Sequence, residues 1–224
     1  MVVDDHPAMR DGLGMWINRQ ADMELCGDAA DVLTALKRIR ESPPDVLVLD
    51  LALKDSDGID LLKQLHTTNS SVAVLVCSMH PEIPYAERTM NNGARGFIGK
   101  HCDIDEIIEA IRTVARGEYY TSKAVSDRLM SKVFGGSSKR RMVSSMETLS
   151  DRELQVFQHI GEGLTIAEIS NRLHLSTHTV ETYRQRMKAK LGVKTNTELA
   201  CKATKWMMEL HGETRPSRNQ NDGD

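Results

Sequence analysis

Aromatic side chains make up only 4% of this chain of 224 residues, and no apolar run approaches the ~20 residues that a membrane-spanning helix needs. The N-terminus lacks the form of a signal peptide. The four cysteines, Cys26, Cys77, Cys102 and Cys201, show no CxxC spacing and lie in apolar or helical contexts, so reduced structural thiols in a cytoplasmic protein are expected. Nor is there a phosphate loop: Ala94 to His101, ARGFIGKH, lacks the first glycine and the final hydroxyl residue that such a loop requires. His6 and His80 have no second imidazole or thiol at ligand spacing, which argues against metal binding through them.

What is present is 40% hydrophobic and 27% charged, a globular composition in a chain long enough for two domains of roughly 100 residues each. The net charge of −3 conceals an asymmetry. Residues 1–120 carry 20 acidic against 12 basic side chains, whereas residues 121–224 carry 12 against 17. An acidic half joined to a basic half suggests a cation-binding or signalling domain fused to one that binds a polyanion.

In the first half, short apolar runs alternate with helical patterns. Met1-Val2-Val3 leads into Asp4-Asp5, and Pro7 opens a helix through Leu13 and Ile17. A second strand is expected at Met23–Cys26, followed by a helix through Val32, Leu36 and Ile39. Asp45-Val-Leu-Val-Leu suits a strand buried on both faces of a parallel sheet, and it stops at Asp50. Asp55-Ser-Asp-Gly is a turn signal before the next helix. A fourth strand runs from Val72 to Cys77 and ends at Ser78; a fifth, Gly96–Ile98, ends near Lys100. Asp103 with Glu106 three residues on marks another helix start. Strict alternation means a parallel sheet covered by helices on both faces, with ligands at the carboxyl ends of the strands.

Those strand ends carry Asp4, Asp5, Asp50, Ser78 and Lys100. Three converging carboxylates repel unless a hard cation sits among them, and Mg2+ favours oxygen ligands. A lysine and a hydroxyl beside them suit a transferred phosphoryl group. This constellation resembles the receiver domain of bacterial two-component response regulators, over residues 1–117. The resemblance implies a flavodoxin-like, doubly wound α/β fold with a five-stranded parallel sheet. It implies that Asp50 accepts a phosphoryl group from a sensor histidine kinase, and that Asp4, Asp5, Asp50 and the carbonyl of Ala52 surround Mg2+. Lys100 would pair with the phosphate, and Ser78 with Phe97 would form the switch pair. His80, two residues past Ser78, would face the pocket. Two features depart from the family pattern: the first strand has only three residues before the acidic pair, as if a few N-terminal residues were missing, and Lys54 stands where many receivers have proline.

Residues 118–145 are expected to form a linker with a helix over Thr121–Phe134 and a flexible basic tether after Gly135. Residues 211–224 read as a disordered tail. Between them the pattern is wholly helical. Ser150/Glu153, Thr165/Glu168 and Thr195/Glu198 fit the capping box, Gly161 and Gly163 end the first helix, and Gly192 closes the third. Thr165–Leu173 and Thr177–Leu191, joined by His174-Leu175-Ser176, make a helix-turn-helix. In its second helix Val180, Met187 and Leu191 share the inner face, while Glu181, Thr182, Gln185 and Lys188 project outward, flanked by Arg184, Arg186 and Lys190. A polar face bordered by cations suits the major groove of double-stranded DNA.

Leu149-Ser-Asp-Arg-Glu-Leu-Gln-Val, Ile166-Ala-Glu-Ile-Ser, Ser176-Thr-His-Thr-Val-Glu-Thr-Tyr and Lys190-Leu-Gly together resemble the LuxR-type DNA-binding domain, over residues 146–210. Receiver plus this all-α, four-helix module is the architecture of NarL/FixJ-type response regulators. That resemblance places Thr179, Glu181, Thr182, Tyr183, Arg184, Gln185, Arg186, Lys188 and Lys190 at DNA, and implies a homodimer when phosphorylated or on DNA. Glu181 fits uneasily, because a carboxylate in the groove must meet a cytosine amino group or be repelled. Tyr183 stands where histidine is common. A Mg2+-dependent phosphohydrolase using Asp50 as nucleophile is the rival from the enzyme class, but position 52 is alanine where such hydrolases carry a second acid. A phosphorylation-independent interaction or DNA-architectural module is the third reading.

Overall fold

The computed structural model describes residues 1–53, 56–68, 70–133, 146 and 148–213. The chain divides into two units, Met1–Gly135 and Gly136–Asp224. In the first, β1 (Val2–Val3), β2 (Asp28–Ala29), β3 (Val46–Leu49), β6 (Ala73–Ser78) and β7 (Gly96–Gly99) form one sheet in the order β2-β1-β3-β6-β7. Every pairing in it is parallel. Helices α1 (Pro7–Asn18), α2 (Val32–Glu41), α3 (Gly58–Thr67), α4 (Glu82–Asn91) and α5 (Ile104–Ala115) alternate with the strands. All four residues of β3 are buried, as a strand covered on both faces must be. One core cluster joins Leu13 and Ile17 of α1 to Val48, Leu75 and Ile98 of the sheet and to Ile107, Ile111 and Val114 of α5.

The second strand forms later than the sequence suggests. Residues 23–27 carry no strand, and β2 starts at Asp28. Pairing follows the donors of β1: Val2 N–H reaches the Gly27 carbonyl and Asp4 N–H the Ala29 carbonyl, each at 3.1 Å. Leu25 N–H instead donates to the Asn18 side chain at 2.8 Å. Met23 and Leu25 still pack against the core, so their apolar pattern reports burial rather than ladder position.

Beyond Asp50 the chain makes a small antiparallel pair, β4 (Ala52–Leu53) with β5 (Ser56–Asp57), where only a turn was expected. Lys54 lies outside the described residues. Asp57 then caps α3 by accepting from Ile59 N–H at 2.9 Å. A Cβ on Gly58 would collide with the Asp50 carbonyl oxygen and come within 2.8 Å of Leu51 Cα. Only glycine lets α3 begin this close to the strand that ends in Asp50.

The segment after α5 returns to the sheet. Tyr120 forms an isolated parallel bridge with Gly96: its N–H donates to the Arg95 carbonyl at 3.0 Å, and its own carbonyl accepts from Phe97 N–H at 3.2 Å. The helix start expected at Asp103 forms, with Glu106 N–H donating to the Asp103 carbonyl at 3.0 Å, but the Asp103 side chain makes no cap bond and the Glu106 carboxylate accepts from the Tyr120 hydroxyl at 2.9 Å. Ser122 N–H donates to Glu82 at the start of α4, 3.1 Å away, and α6 (Lys123–Val133) packs on α4.

The second unit contains α7 (Asp151–Gly161), α8 (Ile166–Arg172), α9 (Thr177–Leu191) and α10 (Asn196–Glu213). The capping boxes at Ser150/Glu153 and Thr165/Glu168 both form. At Thr195/Glu198 the forward bond forms at 3.1 Å, but the Glu198 carboxylate accepts from Lys194 N–H, one residue earlier than a capping box requires. Phe157 and Trp206 meet at 5.6 Å between ring centroids in a core with Leu154, Ile169, Val180, Met187 and Leu199. Gly161 belongs to α7 itself; a Cβ there would lie 2.8 Å from the Ala203 carbonyl, so it permits the close approach of α10. The basic tether and the C-terminal tail expected from the sequence lie largely outside the described residues.

Gly58→Ala should lower the urea midpoint of the first unit by the equivalent of about 1–3 kcal/mol, the usual range for overpacking. An unchanged midpoint would show that the start of α3 can retreat from Asp50.

Candidate functional sites

The first site lies at the carboxyl edge of the sheet. β1 delivers Asp4 and Asp5, β3 delivers Asp50, and the residue after β7 is Lys100. The Lys100 ammonium bridges two carboxylates, with Nζ 2.6 Å from Asp4 Oδ2 and 2.6 Å from Asp50 Oδ2. The three side chains are 8%, 3% and 2% exposed, respectively, so this is a buried charge cluster rather than a surface pair. The other Asp50 oxygen accepts from Ala52 N–H at 3.2 Å, and Asp4 Oδ1 accepts from His6 N–H at 2.9 Å. Arg10 donates to the Asp4 carbonyl at 2.7 Å, fixing the turn out of β1.

Ligand atoms of Asp4, Asp5, His6 and Asp50 all lie within 4.8 Å of one another. Three carboxylates in that space suit a hard divalent cation, which prefers oxygen donors. His6 was set aside on spacing to other imidazoles and thiols. The structure joins it to the carboxylates next to it in sequence, Nδ1 being 2.7 Å from Asp5 and 3.3 Å from Asp4, while its ring stays largely exposed.

Burial holds the Asp50 carboxyl above the usual carboxylate range, outweighing the attraction of Lys100. For Lys100 burial works against the charge, but Asp50 and Asp4 outweigh it and hold the ammonium up. Burial pushes the adjacent Cys77 thiol up to about 12, so Cys77 remains protonated and offers no competing nucleophile.

Ser78 and Phe97 are both fully buried, on neighbouring strands β6 and β7. The Ser78 carbonyl accepts from Lys100 N–H at 3.0 Å, and its hydroxyl accepts from His80 N–H at 3.3 Å. Among the described residues no hydrogen bond joins that hydroxyl to Asp50. His80 stacks on buried Tyr85, with centroids 4.4 Å apart and planes inclined by 16°.

The second site is α9. Val180, Met187 and Leu191 are buried, as the spacing requires, and the opposite face is polar. Glu181 accepts from Arg184 Nη1 and from Gln185 Nε2, both at 3.0 Å. Thr182 donates to the His178 carbonyl at 3.0 Å, and Thr179 bonds the Ser176 hydroxyl at 2.8 Å. Tyr183 is half-buried, and neither Arg186 nor Lys188 has a polar side-chain partner among the described residues. Lys190 has a partner within the protein. Its ammonium lies 2.6 Å from Glu153, a 3% exposed side chain on α7 that also accepts from Ser150 N–H at 2.7 Å. Burial opposes the Glu153 charge, but Lys190 and Ser150 hold its carboxyl below the usual range. Lys202 adds a second tie, donating to the Leu191 carbonyl at 3.0 Å.

Two outcomes test these assignments. The raised Asp50 group makes the wild type lose stability as pH rises through that raised value; below the unfolded value the carboxyl is neutral in both states and the loss vanishes. In buffer with a chelator, Asp50→Asn should therefore be more stable than wild type at neutral pH, by on the order of 1 kcal/mol, with the gap closing toward acid pH. Equal urea stability at neutral pH would mean that Lys100 compensates the carboxylate in full. Lys190→Ala should cost roughly 1–3 kcal/mol, the scale of a hydrogen bond to a charged group, in the unfolding of the second unit; no loss would release Lys190 for another role.

The Response regulator receiver domain family matches residues 1–112, and the luxR family of bacterial regulatory proteins matches residues 147–203. The oxygen regulatory protein NreC of Staphylococcus aureus is 31% identical over 202 residues, covering 89% of this chain and 93% of NreC. A LuxR-family two-component response regulator from Aurantimonas is 28% identical, with a TM-score of 0.55 over 60% of this chain and 96% of its own. RcsB from Salmonella enterica serovar Typhimurium, solved on promoter DNA, shares the fold at 23% identity and a TM-score of 0.60, covering 91% of this chain and 96% of its own. The chain therefore belongs to the two-component response regulators of the NarL/FixJ type, a receiver domain followed by a LuxR-family DNA-binding domain.

Proposed function

We propose that Asp50 is the phosphoacceptor through which a sensor histidine kinase controls the binding of α9 to double-stranded DNA. The observation that carries this reading is the Lys100 bridge: one ammonium, 2.6 Å from two buried carboxylates at neighbouring strand ends. An Asp50 carboxylate oxygen attacks phosphorus, the O–P bond forms, and the N–P bond of the donor breaks with its electron pair leaving on the imidazole. Lys100 then turns from the carboxylates to the phosphoryl oxygens. Asp4, Asp5, Asp50 and the Ala52 carbonyl are the residues that would hold Mg2+, which supplies charge neutralisation for the transferred group. Ala52 offers no second carboxylate, and that supports a regulator rather than a hydrolase.

A phosphoryl group adds roughly −1.5 to −2 charge at the sheet edge and acts by biasing a two-state element. Ser78 and Phe97 are that element, the hydroxyl turning to the phosphate and the ring following. Two contacts support transmission: Phe97 N–H holds the Tyr120 carbonyl, and Ser122 holds Glu82 at the start of α4. The receiver spans residues 1–117, the linker with α6 spans 118–145, and the DNA-binding domain spans 146–210. On DNA, Lys188, Arg186 and Tyr183 serve phosphates while Thr182 and Gln185 face base edges. The active species is a homodimer. Among the described residues no helix is long and apolar enough to cross a membrane, in keeping with action in the cytoplasm.

Incubation with a small phosphodonor and Mg2+ should add one phosphoryl group by intact mass and raise affinity for a two-half-site operator far more than for one half-site. Asp50→Asn should keep basal binding and lose that gain. Ser78→Ala should accept phosphate yet respond poorly. Equal operator affinity of modified and unmodified protein at matched salt would refute the coupling.

A further inference from the structure

We propose that Glu181 is a positioning residue for sequence readout: it contacts no base, and instead fixes the side chain of Gln185 so that Gln185 selects adenine. The inference rests on the reading that α9 enters the major groove.

A carboxylate at a base edge has one compatible partner, the cytosine amino group, and faces acceptors or hydrophobic surface elsewhere. In α9 both oxygens of Glu181 are already used. Oε2 accepts from Arg184 Nη1 and Oε1 accepts from Gln185 Nε2, each at 3.0 Å. The Arg184 side chain is only 15% exposed and Glu181 38%, so this ion pair is partly withdrawn from water and neutralises the carboxylate. Arg184 is thereby committed to Glu181 rather than to a phosphate.

The chemistry of the amide settles what Gln185 has left. A carboxylate only accepts, so the nitrogen of Gln185 must face Glu181. One of its two N–H bonds is spent there. The other N–H and the carbonyl oxygen remain together, and that donor–acceptor pair matches adenine N7 and N6. Thr182 is restricted in a similar way. Its hydroxyl hydrogen is given to the His178 carbonyl, leaving a methyl group and acceptor lone pairs for the groove. The face of α9 thus presents a fixed amide beside a hydroxyl that only accepts, and the acidic residue orders one of them from behind.

The test is selection from a randomised duplex pool by the full-length chain, with and without a small phosphodonor, for wild type, Glu181→Ala, Glu181→Gln, Gln185→Ala and the double alanine variant. Gln185→Ala should lose about tenfold discrimination at one base pair, where wild type prefers adenine. Glu181→Ala should relax the same base pair, by about threefold to tenfold, and the double variant should be no worse than Gln185→Ala. Glu181→Gln, whose carbonyl still accepts from the Gln185 amide, should keep the preference. Relaxation at a different base pair in Glu181→Ala, or a preference untouched by it, would overturn the proposal and leave DNA binding intact. A wild type that enriches no sequence, with Lys188→Ala changing nothing in affinity, would overturn the groove reading and this inference together.

Discussion

Asp4 and Asp50 sit on neighbouring strands with their carboxylates almost wholly withdrawn from water, and their mutual repulsion there is far less screened than at a surface. A single ammonium, held equally close to both, makes the arrangement tolerable. Removing the ammonium from a buried cluster of this kind should cost roughly 3–5 kcal/mol, because both carboxylates would be left uncompensated. The geometry around the cluster follows from that need. β1 must stop at Asp4, β3 must stop at Asp50, and the loop after β7 must return Lys100 to the same edge. Gly58 must leave room for α3 to start against Asp50. The compensation is incomplete, since Asp50 remains harder to ionise than a free carboxylate. Charge density beyond what Lys100 can satisfy is the property a transferable phosphoryl group and a divalent cation would use.

The second unit solves a related problem with opposite intent. Glu153 is nearly inaccessible, yet one of its oxygens closes the α7 capping box and also takes the Lys190 ammonium. Here the charges are matched, and the result is a fixed angle between α7 and the end of α9. The carboxylates of the first site are left with unmatched charge, and the single carboxylate of the second is fully paired. Each has one ammonium at 2.6 Å; what distinguishes them is that Lys100 faces two carboxylates and Lys190 faces one.

Much of this was legible in the sequence. The β-branched run ending at Asp50, the strand ends with Asp4, Ser78 and Lys100, and two of three capping boxes rest on periodicity and local hydrogen bonding. Those signals depend on a few adjacent residues. What escaped depended on partners far along the chain. The register of β2 is set by the donors of β1, so the apolar residues Met23 and Leu25 pointed to the wrong place. Glu106 looked like a cap partner for Asp103 and was taken by the Tyr120 hydroxyl. The pairing of Lys190 with Glu153, 37 residues earlier, was not legible because nothing in the sequence marks Glu153 as buried. His6 has no imidazole or thiol at ligand spacing, and its place beside the carboxylates of Asp4 and Asp5 became visible only in the fold.

The Tyr120 bridge also bears on where the receiver can be divided from the rest. β7 ends the sheet, and an open edge of paired strands is a template for association with other chains. Tyr120 occupies the N–H of Phe97 and the carbonyl of Arg95, and α6 follows it onto α4. A fragment cut where α5 ends would uncover that edge beside the most buried part of the strand. The separable piece is therefore longer than the alternating βα pattern suggests: it reaches to the end of α6, and the nominal linker is, in its first half, the closing strip of the sheet.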